Sequence, residues 1–484
     1  MRYLADRIVF SPSDLLVFLE GDFASWMDRW QLEAGRGDAT VKNSLGLPLR
    51  IDIAGLSCQP DEMNDELQLI ASKGLEHEAA YLQRLANEGQ EVVQIDASRP
   101  WDQAVQLTVA AMRRGARYIY QAALEHAEFA GFADFLVRQP GAPDLGDYHY
   151  EAWDAKLARS IKPYFIVQLC AYSEMLAAIQ GRRPSRFSVI LGDGQQQDRS
   201  VQNYWYYYRR LRRSFLEFQQ RFSIDGFPHP GLSLGRGRWT SFAADFLEAT
   251  DHLSQVANIS RTQIKRLEAA GIPTLSDLAG TKVKYIPRMA QPVFDRLKTQ
   301  ARLQLQSQGQ ARPRYAVVGT DGEDSPRGLR RLPPASSGDV YFDMEGFPLA
   351  AGGLEYLFGA FGQQQGELAF FDWWAHDHLQ ERTAFERFVD WVYARWQEDP
   401  LMHVYHYAAY EATALRKLMG KHATREREMD ALLRNQVFVD LYAVVRQGLV
   451  VGTPGYSLKD IERLYMQPRA GGVTSAGGSI VAYH

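Results

Sequence analysis

HAEFAGFADFLVRQPGAPDLGDYHYEAWDAKLA, residues 126–158, decides the reading of the first half of the chain. HAEFAGFADFLVRQ and YHYEAWDAKLA both alternate apolar and polar residues with a period of two, the signature of strands. Between them PGAPDLGD is dense in turn formers, so the simplest arrangement is a β-hairpin. On a strand, residues two apart point to the same side. Asp154 and Lys156 therefore share a face, with Glu151 on the other, and the hairpin brings Asp134 beside Asp154. A carboxylate in an otherwise apolar strand is costly unless it is paired or bound to a metal, which makes Asp134 a candidate site residue.

Helices and strands alternate outward from this hairpin. SPSDLLVFLEGDFASWMDRW (11–30) opens with a good helix start. ELQLIASKGLEHEAAYLQRLANEG (66–89) reads as one long amphipathic helix, or two broken near Gly74. IKPYFIVQLCAYSEMLAAIQG (161–181) is a helix on which Gln168 and Tyr172, four apart, share a face. RFSVILGD is another strand, and NYWYYYRRLRRSFLEFQQRF (203–222) a basic, aromatic helix. GFPHPGLSLGRGRW is a Gly/Pro-rich break, after which residues 245–305 read as helical. Within them SQVANISRTQIKRLEAAGIPTLSDLAG resembles a helix-hairpin-helix element. Residues 306–336 are polar and rich in Pro and Gly, as linkers are. A second α/β pattern starts with the apolar strand DVYFDMEGFP (339–348).

At 484 residues the chain needs more than one core, and 46% hydrophobic with 23% charged residues is the mix of a soluble protein. Two cysteines, Cys58 and Cys170, exclude a disulfide framework and a four-cysteine iron–sulfur cluster. No signal peptide or membrane span is legible, which implies a reducing, cytoplasmic location. The net charge of −4 conceals an asymmetry: residues 199–331 hold 22 Lys/Arg against 11 Asp/Glu. A basic middle between acidic flanks suits a polyanion, although a solvated helix surface has the same composition.

Taken in order, Gly74-x-x-His77-Glu78, Gly131-x-x-Asp134, Asp154-x-Lys156 and Gln168-x-x-x-Tyr172 resemble the RecB-like branch of the PD-(D/E)XK nuclease superfamily, over roughly residues 8–225. The resemblance implies a restriction-endonuclease-like core, a mixed central sheet flanked by helices. It implies His77, Asp134 and Asp154 as ligands of Mg²⁺ or Mn²⁺, with the carbonyl of Ala155 a further ligand. Lys156 would polarise the attacking water, and Gln168 and Tyr172 would support the site or touch the nucleic-acid backbone.

The second pattern carries Asp343 and Glu345 on one strand, then Glu411 and Asp440. It resembles the YprB-type ribonuclease H-like domain, a relative of the DEDD exonucleases. Glu411 stands where Asp is usual, and GGSIVAYH (477–484) precedes any final acidic motif, so a domain cut short before a helicase region is expected.

The expected organisation is therefore an α/β chain with a nuclease domain at 1–225, a helical basic region at 226–336 and a partial ribonuclease H-like domain at 337–484. The expected activity is metal-dependent phosphodiester hydrolysis, DNA favoured, in repair, recombination or defence, with a superfamily 1 helicase as partner. Two alternatives stand beside it: an inactive nucleic-acid-binding scaffold for a helicase, and a 3′–5′ exonuclease acting through the second domain.

Overall fold

A computed structural model describes residues 1–4, 7–34, 58–141, 146–223, 227–319, 327–467 and 476–484. It divides into two compact units, Met1–Phe246 and Leu247–His484. Among the described residues no helix is long and apolar enough to cross a membrane.

The first unit opens with a small antiparallel pair, β1 (Arg2–Leu4) and β2 (Arg7–Val9), then α1 (Pro12–Glu20), α2 (Asp22–Ala34) and α3 (Asp65–Asn87). The helix α1 starts where the sequence predicts, with Ser11 at the N-cap position: its backbone N–H and hydroxyl both donate to Asp14 Oδ2. Gly74 does not break α3, which runs as one helix. Next come β3 (Val92–Gln94), α4 (Trp101–Arg113), β4 (Tyr118–His126), β5 (Phe129–Pro140), β6 (Tyr148–Ala155), α5 (Pro163–Gln180), β7 (Arg186–Ile190), β8 (Gln196–Ser200) and α6 (Gln202–Gln220).

Strands β3 to β8 form one mixed sheet in sequence order. β5 and β6 are the antiparallel hairpin read from the sequence, with Phe135 opposite Trp153; the turn formers 142–145 between them lie outside the described residues. β6 runs parallel to β7, so the Asp154 end of the hairpin is held in the sheet on both sides. One face of the sheet packs against α4 and α5 in the main core, which contains Leu136, Tyr150, Ala152 and Leu169. The other face, with Phe135, Val137, Trp153 and Ala155, packs against Tyr81 and Leu85 of α3.

The second unit takes up within α7 (Thr240–Ala249) and continues through α8 (Arg261–Ala269), α9 (Leu275–Gly280) and α10 (Gln291–Ser307), which bury their own core around Ile264, Leu267, Leu278 and Phe294. The turn between α8 and α9 needs Gly271, whose φ of +76° favours a residue without Cβ. Part of the expected linker is structured: β9 (Tyr315–Val317) pairs with a strand more than a hundred residues later, Leu449–Val451.

Then follow β10 (Val340–Phe347), β11 (Leu354–Gln364), β12 (Glu367–Trp374), α11 (His378–Glu398), β13 (Val404–His406), α12 (Tyr410–His422), α13 (Glu426–Arg434), β14 (Phe438–Asp440), α14 (Leu441–Gly448), β15 (Leu449–Val451), α15 (Leu458–Glu462) and α16 (Ala476–Tyr483). The sheet order is β12-β11-β10-β13-β14, antiparallel on one side of β10 and parallel on the other. Val340, Phe342 and Met344 of β10 turn into the core under α11 to α13. The alternate residues, Tyr341, Asp343 and Glu345, turn the opposite way and line a cavity.

Candidate active sites

In the first unit the strand register and one helix bring four of the predicted side chains together. Lys156 Nζ lies 2.8 Å from Asp154 Oδ1 and 3.8 Å from Asp134 Oδ2. Asp134 Oδ2 also accepts the Ala155 backbone N–H at 3.1 Å, so that peptide nitrogen ties the two strands at the site. Asp154 is 1% exposed, and apart from the lysine neither of its carboxylate oxygens has a well-formed hydrogen bond. Burial, and then the neighbouring Asp154 charge, hold the Asp134 carboxyl well above the ordinary carboxylate range. Burial works to lower the Lys156 pKa, but Asp154 and Asp134 outweigh it and keep the ammonium protonated more firmly than usual.

Helix α5 closes the site from behind. Tyr172 Oη donates to the Phe132 carbonyl at 2.6 Å, and its side chain meets Gln168 one turn earlier. Gly131 makes this approach feasible, because a Cβ there would stand 3.0 Å from Pro12 Cδ and 3.3 Å from the Tyr172 ring. The glycine of Gly-x-x-Asp is thus a space requirement of the strand that carries Asp134.

Helix α3 presents its motif differently from the expectation. His77 Nε2 lies 3.4 Å from the Ile190 carbonyl, the oxygen that also receives the Lys156 N–H at 2.8 Å. It reaches the rim of the site, and no hydrogen bond or ion pair joins it to Asp134 or Asp154. Its neighbour Glu78 is coupled to the site through charge. Burial, then Asp134, raise the Glu78 pKa, while Lys156 acts to lower it. Gln121 Nε2 donates to Glu78 Oε1 at 2.5 Å from a left-handed backbone (φ +53°) in the middle of β4. Such a conformation is strained for a residue with a Cβ and is a known mark of functional positions. Sequence reasoning gave Glu78 no role, and nothing in the sequence signalled Gln121.

Glu151, expected on the other face, is there: it is buried beside His149, Nε2 to Oε1 3.7 Å, and burial raises its pKa to about 7.

In the second unit Asp343, Glu345 and Glu411 line one cavity of about 590 Å³ together with His406, Tyr407 and Tyr465. A bulge at Glu345/Gly346 re-aims the strand beside Glu345. Burial and then Asp343 raise the Glu345 pKa, against a hydrogen bond from Ser479. Glu411, in the first turn of α12, is 4% exposed, and its Oε2 has no hydrogen bond although His406 Nδ1 is 3.4 Å away. His406 Nδ1 lies 2.6 Å from the Ala408 carbonyl, which can only accept, so Nδ1 carries a proton. Asp440 is committed to the backbone. Its Oδ1 accepts N–H groups from Ala408, Tyr442 and Ala443, capping α14 and anchoring the loop before Glu411.

Among the described residues no three His, Cys, Asp or Glu side chains converge closely enough to hold an ion as they stand. The chemistry of both donor sets nevertheless fits a hard divalent cation: carboxylate oxygens only, with Asp154 and Glu411 each offering a buried oxygen that lacks a hydrogen bond.

A family model described as the RNase H superfamily matches residues 340–484. No curated protein and no solved structure matches the chain. The C-terminal domain is ribonuclease H-like, in a mixed α/β chain, and the match points to a nuclease-type, nucleic-acid-processing function. It begins on the β10 strand that bears Asp343 and Glu345.

Proposed function

We propose that this chain is a metal-dependent nuclease hydrolysing phosphodiester bonds, DNA favoured, whose first unit works through a RecB-like, PD-(D/E)XK-type site of Asp134, Asp154 and Lys156. One observation carries the proposal: two adjacent carboxylates share a single lysine, at 2.8 and 3.8 Å, in a largely buried corner of the sheet. Ionising both carboxylates beside one counter-ion is unfavourable, and the raised Asp134 pKa records that repulsion. A cation shared by Asp134 and Asp154 would relieve that repulsion and supply an acidified water and charge neutralisation at the scissile phosphate.

The chain's own part follows from where its groups stand. Lys156, kept charged by the two acids, donates to the attacking oxygen and to the negative charge growing on phosphorus. Asp134 and Asp154 orient that lysine. Glu78 is the third acid we assign to the site, and His77 lines its rim. Gln168 and Tyr172 form a wall that keeps Asp134 from swinging into α5.

Purified protein with Mn²⁺ should cleave labelled DNA, and Lys156→Ala should lower the rate by roughly 100-fold or more, the scale of a lost transition-state donor, while circular dichroism shows a folded protein at the assay temperature, even though loss of the shared counter-ion lowers its melting temperature. Cleavage by Lys156→Ala at the wild-type rate would sink this mechanism.

A second reading has its own observation, the cavity shared by Asp343, Glu345 and Glu411. It supports a 3′-directed exonuclease in the ribonuclease H-like domain. A digestion ladder that vanishes in Asp343→Ala and persists in Asp154→Ala would establish this reading over the first.

A further inference from the structure

We propose that the outer face of α6 is a binding surface for single-stranded nucleic acid. The proposal uses the nuclease reading only to explain why such a surface is useful.

The rotation of α6 is fixed from within. Tyr208 donates to Glu174 at 2.6 Å, Arg212 pairs with Glu174 and Glu128 at 3.1 and 2.9 Å, and Phe215 is fully buried. Those anchors turn Tyr206, Tyr207, Arg209, Arg210 and Arg213 outward. Tyr206 is 74% and Tyr207 56% exposed, although tyrosine rings are ordinarily half covered. Among the described residues Arg209 and Arg210 have no acidic partner, and Arg213 has only a 3.9 Å approach to Glu217. A shallow cavity of about 470 Å³ is lined by Tyr206, Arg209, Arg210 and Arg213, with Glu217 at the same wall.

A solvated helix face would need neither feature in this form. Arginines concentrated without counter-ions repel one another, and adjacent bare rings expose apolar area. Together they match one kind of partner. Unpaired bases offer faces on which tyrosine stacks, and the phosphates beside them meet guanidinium groups; in a duplex the base faces are already covered. From Tyr206 to Arg213 the helix rises about 10 Å, enough for about three phosphates of a stacked strand at roughly 3.4 Å each.

The test is fluorescence anisotropy of the full chain in EDTA, with 20-nucleotide DNA and RNA single strands and a blunt DNA duplex of the same length. We expect at least one single strand to bind several-fold tighter than the duplex. Arg209→Ala/Arg210→Ala/Arg213→Ala should weaken that binding about tenfold or more and lower the slope of log affinity against log salt by about 2, from about 0.7 per phosphate. Tyr206→Ala/Tyr207→Ala should weaken it severalfold with the slope unchanged. The triple lysine variant should keep the slope, so the test stays readable should the alanine protein melt early. Affinity within twofold of wild type in the triple alanine protein, or a duplex bound as tightly as the tighter of the two single strands, overturns the proposal. Because the chelator stops cleavage, failure here leaves a Lys156-dependent nuclease standing. Intact strand binding with cleavage indifferent to Lys156 removes the nuclease site and leaves this surface.

Discussion

Glu151 shows how burial alone changes what a carboxyl does. It sits three residues from Asp154, on the opposite face of β6, 9% exposed and without a lysine. Its folded pKa of about 7 lies above the ordinary 4.5, so the native state holds a proton that the unfolded chain releases. The stabilisation from the neutral form is complete below about pH 4.5 and is lost as pH rises through 7. Glu151→Gln cannot ionise. Relative to wild type it should gain up to about 3 kcal/mol between pH 4.5 and 8, read as diverging urea midpoints; parallel midpoints would refute it. Asp154, by contrast, has Lys156 at 2.8 Å. One strand thus holds a carboxyl kept by burial and another kept by a charge. Period-two alternation made that separation legible in the sequence. How far His77 and Glu78 each turn towards Asp134 is not legible in the sequence, because adjacent helix residues differ by about 100° and only packing against the sheet sets the rotation of α3.

At the scale of elements, the glycines of the motif have opposite physical meanings. Gly131 sits where a Cβ would meet Pro12 at 3.0 Å and Tyr172 at 3.3 Å. Gly131→Ala should cost about 1–3 kcal/mol through forced displacement and should also slow cleavage, since Tyr172 bonds the Phe132 carbonyl on the strand that carries Asp134. Gly74, in the middle of α3, has nothing within 4 Å of its would-be Cβ. Gly74→Ala should therefore raise stability by about 0.5–1 kcal/mol, the helix cost of glycine. Thermal melts of the two variants should move in opposite directions; a shared direction would contradict the packing. The same scale explains what the sequence hid. β4 buries long stretches of both faces and so lacks alternation, and Gln121 interrupts it with a backbone that leaves no trace in composition. Asp440 reads from the sequence as a possible support of the second site, and Asp followed by an apolar run is also a helix-cap pattern, which is how its Oδ1 is used.

At the scale of the molecule, two carboxylate sites stand on two separate compact units, which gives the metal question a spatial answer. A ligand that binds only the folded state stabilises it by about 2.7 kcal/mol at a hundred times its dissociation constant, and the protection is felt where it binds. Asp134→Asn removes the like-charge neighbour of Asp154 while its side-chain oxygen still accepts the Ala155 N–H. Without metal the variant should thus be as stable as wild type or more so, by up to about 1 kcal/mol. With saturating Mn²⁺ the order should reverse in one place only. Hydrogen exchange of peptides from β5 and β6 should slow on adding Mn²⁺ to wild type and stay unchanged in Asp134→Asn, while the response of β10 peptides, bearing Asp343 and Glu345, should be the same in both proteins. Equal Mn²⁺ protection of β6 in the two proteins would mean that Asp134 holds no ion. The paired carboxylates would then need a different reason to lie side by side.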